Sequence, residues 1–355
     1  MLWKVGYNSS GNLVWKKAGD KMSFEKTRAL IAEILERQII PGVDYTLIQH
    51  GKVKYTVTQG TETGAPGARK LTEGRYFDLA SLTKVMGTVP LILRLAAEKQ
   101  LELDESVSTY LPEIKDTRVT IRHLLTHTSG VTAWIDHRDD LSASQLREAI
   151  YAQVSFGTKF NQEIEYNDYN YLLLGFIAEK ITHLPVQKAI QQLVLMPWQL
   201  TQSTFNPDPF QTVPTGIRNG VLLRGQVHDP KAASLGAHAA SAGLFATKAD
   251  VVKFTQKMLA PQNELFGFNQ QQDFLNNQTA NPALQRSWGW AFVCRNADQV
   301  VLRHSGFTGT FILWDRMTQN ALVLLSNRLY PEPNLEFLDY RQQIYQTFAA
   351  EDKLK

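Results

Sequence analysis

What most restricts the fold of this 355-residue chain is where its two hydrophobic periodicities fall. Alternation with period two, the pattern of a half-buried strand, occurs at 45–50 and 53–58, and again at 288–294, 300–304, 310–314 and 321–326. Between residues 101 and 243 it nearly vanishes. Helical spacing takes over there, at 121–126, 142–154, 169–182 and 186–195, joined by loops rich in Pro, Gly and Asp. Further helical runs lie at 24–38 and 247–259, and one at 335–349 closes the chain. Strands at both ends with helices between predict an α+β fold in which a helical domain, residues 101–243, interrupts an α/β domain made of 23–100 and 244–355. Residues 1–22 form an extension, where Asn8-Ser9-Ser10-Gly11-Asn12 between two short alternating runs suggests a hairpin.

The densest chemistry sits at the end of a Gly-rich loop, in Ser81-Leu82-Thr83-Lys84. Three residues make nearly one helical turn, so the Lys84 amine can reach back to the Ser81 hydroxyl. A serine hydroxyl is a weak nucleophile until a neighbouring base takes its proton, and a helix N-terminus favours the negative charge that develops. An apolar helix follows Lys84, and burial there would lower its pKa. The spacing alone proves little: roughly one chance Ser-x-x-Lys is expected in such a chain. A second match, Ser23-Phe24-Glu25-Lys26, reads as a helix N-cap with Lys26 on a solvated face.

Around Ser81 stand other ordered motifs: Phe77-Asp-Leu-Ala-Ser-Leu-Thr-Lys84, then Val119-Thr-Ile-Arg-His-Leu-Leu-Thr-His-Thr-Ser-Gly130, then Tyr166-Asn-Asp-Tyr-Asn-Tyr-Leu-Leu-Leu-Gly175. The segment Val227-His-Asp-Pro-Lys-Ala-Ala-Ser-Leu-Gly-Ala-His-Ala-Ala-Ser-Ala-Gly-Leu-Phe245 and the triplet His304-Ser305-Gly306 complete the series. Over roughly residues 24–350 the chain resembles the penicillin-binding-protein and class C β-lactamase superfamily of serine hydrolases, in its D-alanyl carboxypeptidase-like branch. The resemblance implies an antiparallel sheet flanked by terminal helices, with a mostly helical lobe and the active site in the cleft between them. It implies Ser81 as nucleophile, Lys84 and Tyr166 as proton-transfer groups, and the N–H groups of Ser81 and Phe307 as oxyanion hole. Asp168, His304, Ser305 and Gly306 are then candidate substrate-binding residues.

Two positions depart from the family pattern. Asp168 stands where Asn is usual; it reads either as an N-cap or as a carboxylate that holds Lys84 protonated and shifts the base role toward Tyr166. His304 stands where Lys is usual, and its partial charge at neutral pH weakens the case for an anionic β-lactam while leaving room for esters and amides. The implied activity is hydrolysis through an acyl-enzyme, on D-alanyl peptides or amides with recognition of β-lactams. Esterase or β-lactamase action at the same site, or a catalytically weak penicillin-binding sensor, are the alternatives. The implied partners are a small molecule or a peptidoglycan-derived peptide.

Composition narrows the rest. Hydrophobic residues at 43% and charged residues at 20% describe an ordinary globular chain, and a net charge of +3 without a basic-aromatic cluster gives no nucleic-acid footprint. The lone Cys294 sits in an apolar run and reads as a buried structural thiol. His123 and His127 have i, i+4 spacing but lack the Glu of a zinc hydrolase, so no metal or cofactor is predicted. Trp134, Trp288 and Trp290 read as core before cleft lining. No run reaches membrane-spanning length and residues 1–17 lack an apolar signal core, so the chain as written reads as cytoplasmic, or as exported if a leader precedes it. The oligomeric state is left open.

Overall fold

The computed structural model describes residues 3–7, 13–17, 24–297 and 299–352. Strands Trp3–Tyr7 and Leu13–Lys17 pair antiparallel, with Val5 opposite Trp15. The turn residues between them, and Ser23 of the second Ser-x-x-Lys, lie outside the described residues.

Helix α1 (Glu25–Glu36) opens the main fold. Phe24 before it takes a left-handed φ of 57° and stacks its ring on Phe348, 4.9 Å away. The cap comes from the far end of the chain: the N–H groups of Lys26 and Thr27 both donate to the Glu351 carboxylate at 2.9 Å. A carboxylate satisfies two of the unpaired donors of a helix start and complements its dipole. Strands β1 (Gly42–Gln49) and β2 (Lys52–Gly60) follow as a hairpin. Next come helices α2 (Val89–Ala97), α3 (Ile121–Leu125), α4 (Ala143–Gln153), α5 (Asp168–Thr182), α6 (Pro230–Leu235) and α7 (Lys248–Leu259), with shorter turns between. Strands β3 (Ala291–Arg295), β4 (Val300–Ser305), β5 (Phe311–Asp315) and β6 (Asn320–Ser326) return to the sheet, and helix α8 (Glu336–Glu351) ends the chain.

All six strands form one antiparallel sheet in the order β3-β4-β5-β6-β1-β2. The first and last parts of the chain are stitched together by β6 against β1, with Leu322 opposite Leu47 and Leu324 opposite Tyr45. Because side chains alternate along a strand, the sheet buries two faces. Ile312, Trp314, Val323 and Leu325 face the helices between the strand groups, whereas Phe311, Leu313, Leu322 and Leu324 face α1 and α8. Covered on both sides, β6 is buried at every position.

The run at 288–294 becomes a strand only from Ala291, because a tight loop closed by the Ser287 N–H on the Trp290 carbonyl precedes it, with Gly289 at φ 72°. Trp288 and Trp290 are buried and Trp134 is exposed. Cys294 is half-buried rather than buried, and burial pushes its thiol up, away from thiolate character. Among the described residues, no helix is long and apolar enough to cross a membrane.

Candidate active site

Ser81 follows the two-residue strand Phe77–Asp78 through a strained turn. Ala80 takes a φ of 45°, which costs a non-glycine residue about 1–2 kcal/mol. The buried Asp78 carboxylate holds that conformation: it accepts the Ala80 N–H at 2.8 Å on one oxygen and the His228 N–H at 2.7 Å on the other. Burial raises the Asp78 carboxyl to about 6 despite these two bonds. Past Ser81, residues Lys84–Thr88 form a wide π turn before α2. Thr83 Oγ1 donates to the Ala80 carbonyl and Thr88 Oγ1 to the Ala240 carbonyl, which pins the turn at both ends.

This geometry buries Lys84 completely and sends its Nζ back to Ser81. Nζ donates to Ser81 Oγ at 2.9 Å, to the Ser241 carbonyl at 2.8 Å and to Asp168 Oδ1 at 2.8 Å. Three acceptors use all three hydrogens of an ammonium. Burial pulls the Lys84 ammonium down, but the charge of Asp168, with Tyr166, outweighs it and holds the group above the ordinary lysine value. That reverses the expectation from burial alone. The same contact puts Asp168 beside Lys84 rather than at the helix cap. Asn167, not Asp168, caps α5 by accepting the Tyr169 N–H, so Asp168 is free to face Lys84 from the first turn. Its other oxygen lies 3.0 Å from Lys231 Nζ, which is 3.1 Å from Asp229. Burial raises the Asp168 carboxyl, yet Lys84 and Lys231 together hold it well below the usual carboxylate range.

Tyr166 stands beside this pair, its ring centroid 5.1 Å from Lys84 Nζ and 4.5 Å from the ring of His127. His127 in turn stacks on Tyr171 and accepts the Asn167 N–H and the Asn170 amide on Nδ1. That leaves the hydrogen of the neutral ring on Nε2.

The loop after β4 reaches Ser81 from the sheet. Thr308 Oγ1 donates to the Asp78 carbonyl at 2.7 Å, and a Cβ on Gly306 would sit 2.4 Å from the Leu79 carbonyl oxygen, a distance only glycine allows. Among the described residues, neither the Ser81 N–H nor the Phe307 N–H has a protein acceptor. The Phe307 ring is half exposed, stacked on His228 at 5.6 Å and covered by the Arg328 guanidinium at 4.6 Å, while its carbonyl accepts from Arg328 Nε.

Two sequence candidates need correction. His304 is 4% exposed, and burial, reinforced by the positive charges of Lys84 and Arg286, drives its pKa well below 6.5. Its Nδ1 faces the Gly289 carbonyl at 3.0 Å. It is therefore a neutral ring, not a partial cation for a substrate carboxylate. Ser305, one residue on, points to the opposite face of the sheet, where its hydroxyl and Arg303 meet Tyr345 of α8. Strand alternation puts adjacent residues on opposite faces, so His304 faces the site and Ser305 does not.

The depressed histidine carries a test. Neutral in the fold and protonated when unfolded below about pH 6.5, His304 contributes stability that is present above that pH and lost as pH falls, at up to about 1.4 kcal/mol per pH unit. His304→Gln should lose stability less steeply than wild type between about pH 6.5 and 5, read from denaturant midpoints. Identical slopes would mean that His304 is charged in the fold.

Three groups of the site were not singled out by sequence. Arg286 is buried with its guanidinium 5.9 Å from the Tyr166 ring, its Nη2 on the Gly289 carbonyl, and no carboxylate partner among the described residues. The Ser241 carbonyl holds Lys84, and Lys231 shares Asp168. A backbone carbonyl leaves no residue-type signal; the unusual Asp168 was the one cue that a compensating cation should be sought.

The fold agrees with comparison to known proteins. The chain belongs to the beta-lactamase family of serine hydrolases, whose model matches residues 27–346. An Escherichia coli K12 protein named "Putative D-alanyl-D-alanine carboxypeptidase" is 27% identical over 344 residues, covering 81% of this chain and 78% of its own. The Bacillus subtilis strain 168 protein named "N-acetylmuramyl-L-alanine amidase" is 25% identical over 391 residues, covering 92% and 88%. Among solved structures, EstCE1, a hydrolase with promiscuous acyltransferase activity, superposes with a TM-score of 0.73 at 18% identity, covering 92% of this chain and 98% of its own. A class C beta-lactamase from Rhodobacter sphaeroides gives 0.70 at 15% identity, covering 92% and 97%. These last two likenesses are of fold.

Proposed function

We propose that the protein is a serine hydrolase that works through an acyl-enzyme on Ser81, acting on amides of the D-alanyl peptide type and acylated by β-lactams. The observation that carries the reading is the Lys84 Nζ to Ser81 Oγ hydrogen bond of 2.9 Å beside two backbone N–H groups without protein acceptors among the described residues. Ser81 Oγ attacks the acyl carbonyl, and its proton passes to the Lys84–Tyr166 pair once that pair has lost one proton. The N–H groups of Ser81 and Phe307 receive the oxyanion. Collapse breaks the bond to the leaving amine, which takes the proton from the pair, and water then hydrolyses the ester on Ser81 by the same route in reverse. The names of the relatives support amides as substrates. Neutral esters are the second reading, favoured by the uncharged His304 where the family pattern has a lysine.

Intact-protein mass spectrometry tests this. Wild-type protein is exposed separately to a fluorescent penicillin, a p-nitrophenyl ester and a D-alanyl-D-alanine peptide. The expected result is an acyl adduct that maps to the peptide containing Ser81, with release of D-alanine from the peptide. Ester hydrolysis without penicillin labelling selects the second reading, and absence of both adduct and hydrolysis overturns the proposal.

A further inference from the structure

The ion pair of Lys84 with Asp168 poses a problem for any reaction that needs Lys84 to give up a proton, and a second lysine, on α6, supplies the answer. Asp168 carries one negative charge and two oxygens. Oδ1 faces Lys84 Nζ at 2.8 Å and Oδ2 faces Lys231 Nζ at 3.0 Å, so the carboxylate is divided between two ammonium groups. Lys231 is itself held by Asp229 at 3.1 Å. The result is a row of alternating charges, Lys84, Asp168, Lys231 and Asp229, that starts beside Ser81. Lys231 is placed by its helix: Asp229 Oδ1 caps α6 by accepting the Ala232 N–H at 2.8 Å, which leaves Asp229 Oδ2 for the Lys231 two residues on.

We infer that Lys231 is a positioning residue that sets, through Asp168, how readily the Lys84–Tyr166 pair releases the proton it must lose before Ser81 can be acylated. The inference rests on the acyl-enzyme reading above. A carboxylate paired only with Lys84 would place its whole attraction on that ammonium. A second cation on the same carboxylate weakens the hold and also repels Lys84 directly, and both effects ease deprotonation. Asp229 opposes this by neutralising part of Lys231. The directions at Lys231 agree with its place in the row: burial lowers its pKa, and Asp229 and Asp168 raise it above the ordinary value.

Other charged groups surround the row. Around Lys84 these are Tyr166 and Tyr171, the neutral His127 and His304, and Arg286. Against α6 lie Arg138, Asp139 and Asp140 of the neighbouring turn and α4, whose Arg147 is taken by Glu179; His238, just beyond α6, pairs with Glu179 as well. Of these side chains only Asp168 and Asp229 reach Lys231 within ion-pair distance among the described residues.

The test is the pH profile of acylation by a p-nitrophenyl ester, read as burst rate with adduct mass on Ser81, for wild type, Lys231→Met, Lys231→Arg and Asp229→Asn. Lys231→Met should move the rising limb alkaline by about one pH unit or more, the scale of a charge gained or lost within 4–6 Å, so that the rate at neutral pH falls about tenfold. Lys231→Arg, which keeps the charge, should stay close to wild type. Asp229→Asn keeps the cap oxygen and frees Lys231 to lean on Asp168, so its limb should move the opposite way, toward acid. A merely structural role lowers the rate at every pH without moving the limb, and an unmoved limb in Lys231→Met or a same-direction shift in both variants overturns the inference. Where Lys231→Met does not fold, Asp229→Asn decides by its sign. The titration of the Lys84 13Cε signal in 13C-lysine-labelled protein, identified by its loss in Lys84→Arg, reads the same shift without turnover. Wild-type protein that is never acylated overturns the function reading instead, and leaves the Lys84 titration to support or refute the role of Lys231.

Discussion

Replacing Ser81 by alanine should abolish covalent acylation and lower turnover by about 10⁴-fold or more, the scale seen when a nucleophile is removed from a cooperating catalytic set. The fold should survive. Lys84 keeps two of its three acceptors, the Ser241 carbonyl and Asp168, so the buried ammonium is not orphaned, and the turn is held by Asp78, Thr83 and Thr88 rather than by the serine hydroxyl. The competing Ser-x-x-Lys offers no substitute, since Lys26 is exposed and its backbone N–H caps on Glu351. Intact mass after exposure to an ester or penicillin is the measurement, with circular dichroism to verify folding. An adduct of undiminished yield on the variant would move the nucleophile elsewhere.

Gly306→Ala should be the most damaging change that touches no reacting group. The added Cβ would lie 2.3 Å from Thr310 Oγ1 and 2.4 Å from the Leu79 carbonyl oxygen, and the second of these is backbone two residues before the nucleophile. Because that carbonyl cannot rotate away, the loop that carries the Phe307 N–H must lift from the Ser81 turn. Displacing one oxyanion donor costs about 10²–10³ in kcat, while KM should change far less, since the ground-state carbonyl leans on that donor only weakly. The strain should also cost about 1–3 kcal/mol of stability, the range for overpacking. Steady-state kcat and KM with the ester, beside a thermal melt, separate the two effects. A variant with wild-type kcat would show that the Phe307 amide is not used.

The site illustrates where residue patterns stop being informative. The Ser81–Lys84 pairing was legible because three residues along a helical turn fix the reach of a side chain whatever lies around it. The protonation of Lys84 was legible only in part, since the apolar sequence after it argued for a lowered pKa while Asp168, 84 positions later, read either as an N-cap or as a carboxylate holding the amine protonated; its place 2.8 Å from Nζ decides the sign. In the sequence, His304 and Ser305 read together as substrate-binding because they are adjacent in a motif. Adjacency in a strand means opposite faces, and the register of β4 with β5 turned one toward Tyr166 and the other toward Tyr345.

Local spacing by itself determined the α+β composition, the helices between the strand groups and the reach of the Lys84 amine back to Ser81. Each of these rests on covalent geometry or on periodicity within a few residues. Only the tertiary structure decided which strands pair across some 270 residues of chain, that β6 joins β1, that α1 is capped by Glu351, and that Asp168 sits between two lysines. Those outcomes depend on charges and surfaces brought together from distant segments in a buried, weakly polarisable interior, where one neighbour at 3 Å outweighs everything that a side chain's own sequence context implies.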